Sequence, residues 1–455
     1  MGNTIIKESP AHSTTLSSLN KLTTLSKNIE EKTKILTEEL RSKGLEAPSF
    51  SPTGPADFPL SEVSLEVLQA RDDVIAQAKD LHDILLSPRV SLKTFAWDSI
   101  NYIALHAIVE FRIAEAVPRT GSISFQDLAP NIEKLSGNRL PYTDLRRLLR
   151  LATNNNIFYE PHVGFVAHNR TSLLLLDDEA VANWVGMCTV DNLPYIANAV
   201  AAMKKWPGSQ ESDETAVNVA HNHKLRFFEH VKSDPIRARR YDLAMAAHGA
   251  REGFEFCHTV QSYPWDGLGN AVVVDVGGSD GLVSAALAAA FPSLSFIVQD
   301  LAGVHTPATQ DNIPRHLSGR VTLATHDCFE EQPVVAKAYF FRHVFHAFSD
   351  KYAILILKAL IPALRSGARV IINDMVLPTP GEVSHLEERS ARVMDVLMQT
   401  VCNSRERDVD DWRQLFQLAD ARFKWQGAWK SSGRLWFIEA RWECDRLGGP
   451  HEAKL

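Results

Sequence analysis

Cysteine is scarce in this sequence and follows no pattern. The five cysteines are far apart, odd in number and without a Cys-x-x-Cys pair: Cys188, Cys257, Cys328, Cys402 and Cys444. Disulfide frameworks and structural zinc sites are built from paired or clustered cysteines. The sequence therefore favours isolated thiols in a reducing compartment, and we expect a cytoplasmic protein with no bound metal.

Long apolar runs and an excess of positive charge are also missing. No uninterrupted apolar stretch approaches the roughly 20 residues that a helix needs to cross a bilayer. The first ten residues, MGNTIIKESP, lack the basic-then-apolar pattern of a secretion signal. The net charge of −7 argues against a general binder of nucleic-acid phosphates. We therefore expect neither a membrane nor a nucleic acid as partner.

The length of 455 residues exceeds that of a typical single domain. We divide the chain into an N-terminal helix and linker (1–60), a mainly helical region (61–185) and a larger C-terminal region (186–455). In the first, apolar residues recur on one stripe of a predicted helix: Leu19, Leu22, Leu25, Ile29, Leu36 and Leu40. Such a stripe must bury against the body of the protein or a partner subunit. Because its own segment offers no obvious partner, we expect a homodimer.

Residues 61–185 combine helical stretches with a short two-stranded segment around a His-Val-Gly turn, an order that resembles a winged helix. A winged helix can read DNA. The candidate recognition helix near 145–151, however, carries only Arg146, Arg147 and Arg150 in an acidic chain. We therefore interpret this region as a dimerisation module.

From residue 271 onwards, apolar runs rich in Val and Ile alternate with helical stretches, which predicts an α/β fold with a Rossmann-like parallel sheet. The first of these runs leads into a glycine-rich turn with the spacing Asp-x-Gly-Gly-x-x-Gly, from Asp275 through Gly277 and Gly278 to Gly281. Glycines let the backbone turn sharply and approach a ligand closely. A purely structural turn is the alternative. The position between a strand and a helix favours a cofactor loop.

Three acidic residues stand near the ends of the first three predicted strands: Asp275, Asp300 and Asp327. The carboxyl ends of parallel strands form the ligand-binding edge of an open sheet. A carboxylate after the second strand can accept hydrogen bonds from both ribose hydroxyls, and one after the third can accept from an adenine amine. Each acid could alone be a solvated strand end, but the set predicts a bound nucleoside.

The C-terminal end of the chain distinguishes between nucleoside cofactors. Residues 422–442 contain two predicted strands around Ser-Ser-Gly. A terminal antiparallel hairpin is unusual in a dehydrogenase and typical of methyltransferases with strand order 3-2-1-4-5-7-6 and a reversed seventh strand. The altered glycine spacing also differs from the dinucleotide Gly-x-Gly-x-x-Gly. Both features favour S-adenosylmethionine over NAD.

Candidate catalytic residues follow the fourth and fifth strands. His346 lies just past the fourth strand, and Asp374 ends the fifth, so both are expected at one cleft. Glu406 follows the next helix. A histidine beside an apolar stretch can be a core residue, and Glu406 can be one charge in a solvated loop. On the residues alone these alternatives stay open.

At these residues the sequence resembles the small-molecule O-methyltransferases of the plant caffeic-acid type, most closely their fungal secondary-metabolite branch. The resemblance covers roughly residues 60–443. The family's catalytic His-x-Trp-x-Asp pattern reads from His346 to Asp350, with Phe348 in place of Trp. Asp374 stands where plant members have Glu, and Glu406 lies in a shorter, altered loop.

The resemblance implies further roles by position. Cofactor contacts fall on Gly277, Asp300, Leu301, Asp327, Cys328 and Arg342, and a substrate-packing methionine falls on Met398. It also implies that residues 61–185 form a winged-helix-like dimerisation domain and that residues 186–455 form the catalytic domain.

We accordingly expect an S-adenosylmethionine-dependent O-methyltransferase that acts without a metal on a hydroxyl, most fittingly phenolic, of a small secondary metabolite such as a polyketide. His346 would be the general base, with Asp374 and Glu406 orienting its imidazole. Two alternatives stay open at this point: an NAD(P)-dependent oxidoreductase, and a non-catalytic binding protein that retains the methyltransferase fold.

Overall fold

A computed structural model of the chain describes residues 18–249, 252–305 and 312–444. The chain divides into two compact units, one formed by the residues up to 178 with 384–386 and the other by 179–383 with the residues from 387 onwards. The predicted boundaries at 60 and 185 stay a prediction.

The first unit is mainly helical. Its helices are α1 (Ser18–Lys43), α2 (Leu65–Trp97), α3 (Asn101–Glu110), α4 (Ile113–Ala116), α5 (Phe125–Ser136), α6 (Tyr142–Asn154) and α7 (Arg170–Asp177). Helix α2 is kinked at Ser87, whose φ is 67°, because Pro88 follows and disfavours a helical conformation before it. Strands β1 (Ile123–Ser124) and β2 (Phe165–Val166) pair antiparallel. The winged-helix assignment stays a prediction.

Helix α1 packs against α2. Lys32 lies 3.3 Å from Asp73, and Glu39 accepts hydrogen bonds from the backbone N–H and the hydroxyl of Ser64, which caps α2. Leu25 and Leu40 of the predicted stripe are buried, whereas Leu19 lies outside the side chains that the structure describes. The stripe thus has a partner within its own unit, so its exposure is no longer an argument for a dimer.

The second unit carries the larger sheet. Its helices are α8 (Glu179–Gly186), α9 (Asn192–Lys205), α10 (Ala216–His221), α11 (Phe227–Lys232), α12 (Pro235–Gly249), α13 (Phe256–Gln261), α14 (Leu282–Ala290), α15 (Asp350–Leu360), α16 (His385–Cys402) and α17 (Val409–Ala419). Its strands are β3 (Ala271–Val276), β4 (Leu294–Asp300), β5 (Val321–Thr325), β6 (Ala338–Arg342), β7 (Arg369–Asp374), β8 (Phe423–Lys430) and β9 (Trp436–Trp442).

The sheet order is β5-β4-β3-β6-β7-β9-β8, which confirms the predicted order 3-2-1-4-5-7-6. Strands β3 to β7 pair parallel, and β9 runs antiparallel to both β7 and β8. The parallel strands are apolar on both faces because helices cover both. One buried cluster includes Val274, Phe341 and Ile372, and a second includes Val273, Phe340 and Ile371. The sheet therefore brings the ends of β3, β4, β6 and β7 to one edge.

Candidate active site

The loop after β3 has the tight form that its sequence predicts. Gly277 has a φ of 73°, and a Cβ added at Gly278 would come within 2.6 Å of Cγ of Asp275. Asp275 is buried, and its Oδ2 accepts a hydrogen bond from the hydroxyl of Ser284 at 2.6 Å. Burial raises the pKa of Asp275 to about 6. In this arrangement Asp275 ties the loop to α14, so its carboxylate serves the shape of the loop.

Asp300, at the end of β4, reaches the same loop. Its Oδ2 accepts the backbone N–H of Ser279 at 2.9 Å, and its Oδ1 accepts the N–H of Leu301 at 2.8 Å. A carboxylate has about four acceptor positions, so two remain for a ligand. Leu301, the next residue, is about half exposed. Asp300 and the glycine-rich loop are thus joined by a hydrogen bond.

Asp327 and Cys328 follow β5, as predicted. Asp327 is exposed, and its Oδ1 accepts the N–H of Phe329 at 3.0 Å. Cys328 packs against the apolar core, and burial raises the pKa of its thiol to about 12. The thiol is therefore un-ionised at neutral pH, so Cys328 can contribute apolar contact but no charge.

Arg342 ends β6 at the same edge. Its guanidinium donates to the carbonyl oxygen of Phe254 at 2.7 Å and lies 5.4 Å above the ring of Phe256. Its Nε is buried without a hydrogen-bond partner among the residues that the structure describes. Burial lowers the pKa of Arg342 to about 10, so it keeps its positive charge at neutral pH. A ligand anion at this edge would meet an available cation.

His346 lies in a single helical turn, Phe345–Ala347, directly after β6. Its Nδ1 is 3.1 Å from Oε1 of Glu406, and only 16% of the His346 side chain and 1% of the Glu406 side chain are exposed. Burial alone would lower the pKa of His346. The hydrogen bond and charge of Glu406, together with the charge of Asp374, outweigh it and raise that pKa above its ordinary value.

Asp374 ends β7 and contacts the backbone that leads into His346. Its Oδ2 accepts the backbone N–H of Phe345, the residue before His346, at 3.1 Å. Its Oδ1 is buried with no hydrogen-bond partner in the described part of the chain. Burial raises the pKa of Asp374 to about 6, against the opposing charge of His346. Asp374 therefore supports the turn that carries the histidine, while Glu406 contacts the imidazole itself.

Two polar residues beside this trio were not predicted from the sequence. Asp395 of α16 accepts the backbone N–H of Glu406 through Oδ1 at 2.9 Å. Arg407, next to Glu406, is fully buried. Only the placement of Asp395 on the mostly apolar inner face of α16 could have hinted at its contact. For Arg407 the sequence carries no comparable signal, because arginine is rarely found fully buried.

Met398 lies on the same helix, where it packs against two apolar clusters, one around Phe254 and Met375 and the other around Tyr195 and Val217. The core interpretation and the substrate-contact interpretation are both compatible with this position, so its role stays a prediction.

A cleft of about 770 Å³ opens next to Glu406. Trp206 and Met203 form an apolar part of its wall, and Ser349, Asp395 and Glu406 form a polar part. Since Glu406 binds Nδ1 of His346, the cleft lies on the Nδ1 side of the imidazole. The Glu406 side chain itself stays buried beside this cleft, with 1% of it exposed.

A protein family described as an O-methyltransferase domain matches residues 210–422. The curated relatives include the grayanic acid biosynthesis cluster O-methyltransferase of Cladonia grayi, which is 38% identical over 407 residues, 89% of this chain and 84% of the relative. The chlorophenol O-methyltransferase of Trichoderma longibrachiatum is 33% identical over 436 residues, 93% and 91% of the two chains.

Solved structures share the fold. OxaC in complex with sinefungin and meleagrin has a TM-score of 0.68 at 21% identity, with 91% of this chain and 99% of OxaC covered. LepI in complex with SAM has a TM-score of 0.68 at 17% identity, with 92% and 100% covered. At this identity the likeness establishes the fold alone.

Proposed function

The chain belongs to the O-methyltransferase family, and from that premise we propose that it transfers a methyl group from S-adenosylmethionine to a phenolic hydroxyl of a small secondary metabolite, with His346 as general base. The contact between His346 and Glu406 carries this proposal, because it places a supported imidazole at the cofactor edge of the sheet. The chlorophenol enzyme among the relatives supports a phenolic acceptor. An oxidoreductase has no such support.

The residues at the edge fit the cofactor. Gly278 leaves the space beside Asp275 that a side chain would fill, so the loop backbone can lie close to a ligand. Asp300 retains acceptor positions for ribose hydroxyls, and the exposed Asp327 can accept from an amine. Arg342 keeps a positive charge and a buried Nε that lacks a partner in the described ranges, which suits a carboxylate. Acceptors and cation together match an amino-acid nucleoside better than a dinucleotide.

When bound, S-adenosylmethionine supplies an electrophilic methyl group. His346 would take the proton of the acceptor hydroxyl at Nε2 as the hydroxyl oxygen is alkylated. A phenol titrates near about 10 and a histidine near about 6.5, so proton transfer in advance of the reaction is unfavourable. The raised pKa of His346 reduces the difference between the pKa values of acceptor and base, and it makes the imidazole a stronger base.

Glu406 would orient the ring and stabilise it once it is charged. With a proton on Nδ1 facing the carboxylate, Nε2 is the basic nitrogen. Glu406 and Asp374 are thus positioning residues, one through the imidazole and the other through the backbone of Phe345.

The proposal also includes a homodimer formed by the first unit and a cytoplasmic location. Exposed apolar side chains extend from the second half of α2 into α3: Leu85, Leu92, Phe95, Trp97, Ile100 and Ile103. A surface of this kind marks an interaction site.

We assign residues 61–185 to dimerisation and residues 186–455 to catalysis. Within the described ranges, no helix is long and apolar enough to cross a membrane.

An intact-mass screen tests the proposal. The protein is incubated with S-adenosylmethionine and a panel of small phenols, matched with the corresponding methyl ethers, thiophenols and anilines. We expect one added methyl group on a phenol and none on the ether. Exclusive methylation of the thiol or amine would contradict the hydroxyl assignment. Failure to bind S-adenosylmethionine in calorimetry would contradict the cofactor assignment.

A further inference from the structure

We propose that Arg407 is the positioning residue that fixes His346, Glu406 and Asp374 relative to one another. The inference rests on the proposed function, in which His346 is the base. It concerns a residue that neither touches the reacting atoms nor belongs to the trio. Three observations support it. They are the hydrogen bonds of the Arg407 side chain, the contacts of its backbone, and the effect of its charge on His346.

The side chain of Arg407 holds the turn that carries His346. It is 0% exposed. Its Nη1 donates to the carbonyl oxygen of Phe345 at 3.0 Å, and its Nη2 donates to that of Phe348 at 2.8 Å. These two carbonyls flank His346 on either side. A planar guanidinium has its donors in a fixed fork, so satisfying both bonds fixes the separation of the two carbonyls and the direction of the turn between them.

The backbone of Arg407 holds the other two members. Its carbonyl oxygen accepts the N–H of Leu377 at 2.9 Å, and the residue pairs with Val376 in a parallel bridge. Val376 lies two residues beyond Asp374, on the continuation of β7. Glu406 is the residue directly before Arg407. One residue therefore connects the end of β7, the acid that contacts the imidazole and the turn after β6.

The surroundings of Arg407 explain how a buried cation can persist. Its Nε donates to Oδ1 of Asp350 at 2.9 Å, and its guanidinium lies 5.2 Å from the centre of the Trp412 ring. A fully buried charge is costly unless it is paired and hydrogen-bonded. Each of its three nitrogens has an acceptor. These contacts together fix the position of the guanidinium, as is required of a residue that holds others in place.

The charge of Arg407 also acts on the base. The charged and titratable groups that face His346 are Glu406 and Asp374, which raise its pKa, and Arg407, which lowers it. The ring of His343 lies 5.3 Å away. A variant that loses the cation should therefore move the titration of His346 to higher pH. Unfolding of the whole site would instead lower the midpoint towards the ordinary value of histidine, because the folded site raises the pKa of His346.

The test compares Arg407→Met and Arg407→Lys with Arg405→Met. Arg405 is a matched control because it is also a cation close to Asp350 and Asp411 and is 42% exposed. Among the residues that the structure describes, it makes no hydrogen bond to the turn after β6. We measure kcat with the acceptor found in the methyl-transfer screen, the affinity for S-adenosylhomocysteine by calorimetry, and the titration midpoint of His346 by NMR of ¹³C-labelled histidine. The His346 signal is assigned by its absence in His346→Gln.

We expect Arg407→Met to lose roughly 100-fold in kcat, the usual effect of a small misplacement in an active site, with little change in S-adenosylhomocysteine affinity. Its His346 midpoint should rise. Arg407→Lys should keep the parent midpoint but not the parent kcat, since a single ammonium cannot bridge both carbonyls. Arg405→Met should match the parent in both.

A folded Arg407→Met with kcat within about threefold of the parent and an unmoved midpoint overturns the proposal. If Arg407→Met does not melt cooperatively, kcat of Arg407→Lys and of Asp350→Asn tests the proposal instead. Asp350 is 38% exposed, and its loss weakens the outer support of Arg407. Parent kcat in both variants overturns the proposal, and a reduced kcat in both supports it. Parent turnover in His346→Ala would instead refute the base assignment, and the NMR midpoint would still report on Arg407.

Discussion

His346 and Glu406 are 60 residues apart in the sequence, yet Nδ1 of the imidazole lies 3.1 Å from Oε1 of the carboxylate. In the proposed mechanism the ring proton is on Nδ1, where it can donate to this carboxylate oxygen. Nε2 then carries the free lone pair. The contact suits the tautomer that the proposed general base requires, with the basic nitrogen on the side away from Glu406.

Glu406→Gln should lower turnover by less than the removal of His346, because the amide can still face the ring but carries no charge. The acid limb of the pH–rate profile should move to lower pH, since Glu406 raises the pKa of His346. The profile of kcat between pH 5 and 9 is the measurement. The exposed Asp410, paired with Arg413, provides the control Asp410→Asn. An acid limb that stays in place would contradict the role given to Glu406.

Asp374→Asn should stabilise the protein while it lowers turnover. The pKa of Asp374 is about 6 in the folded chain against an ordinary 3.8, so the folded state favours the protonated carboxyl. The free energy of unfolding therefore decreases as the pH rises from about 4 to about 6 and stays lower above, by at most about 3 kcal/mol. The neutral amide lacks this penalty.

Melting temperatures of the parent and Asp374→Asn at pH 4, 6 and 8 check this expectation. The variant should gain over the parent at pH 8, and the difference should vanish near pH 4. A loss of stability that is equal at all three values would show that Asp374 acts through a hydrogen bond and not through its buried charge.

Asp300→Ala should weaken the binding of S-adenosylmethionine and S-adenosylhomocysteine. The carboxylate holds the N–H of Ser279 in the loop and retains acceptors for ribose, so its loss removes charged hydrogen bonds that contribute about 1–3 kcal/mol. Calorimetric titration measures the change. Glu331→Gln, an exposed position, is the control. Unchanged affinity would exclude Asp300 from the cofactor site.

Trp97→Glu should convert the proposed dimer into a monomer. Trp97 is 80% exposed within an apolar surface, where a charge would oppose burial against a second copy. Light scattering should give about twice 50.7 kDa for the parent and about 50.7 kDa for the variant. Leu418→Glu is the control, since Leu418 is 62% exposed and lies on α17, outside residues 61–185. A monomeric parent at micromolar concentration would contradict the proposal.

Those parts of the fold that depend on local sequence were predictable. The alternation of strands and helices indicated a parallel sheet. The terminal hairpin, which is typical of methyltransferases, indicated its strand order. The loop from Gly277 to Gly281 and the acid at Asp300 were visible because residue type and spacing suffice to identify them. His346, at a strand end, belongs to the same class of signal.

Contacts between distant segments were not predictable. The family resemblance offered Asp374 and Glu406 as two supports of the imidazole. Only the tertiary structure decides that Glu406 contacts the ring and Asp374 the backbone of Phe345. The packing of α1 against α2 and the burial of Arg407 also depend on tertiary structure. Asp275 was expected at the cofactor site. Its hydrogen bond with Ser284, which ties the loop to α14, could not be predicted from residue type alone.

The central claim is that His346 is the general base for methyl transfer to a hydroxyl, and single-turnover kinetics of His346→Ala test it most directly. The enzyme is saturated with S-adenosylmethionine, mixed with the phenolic acceptor from the screen and quenched for product mass. We predict a rate reduced by roughly 100- to 10,000-fold, with S-adenosylhomocysteine affinity unchanged in calorimetry. A folded His346→Ala enzyme that methylates the phenol at nearly the parent rate would contradict the account.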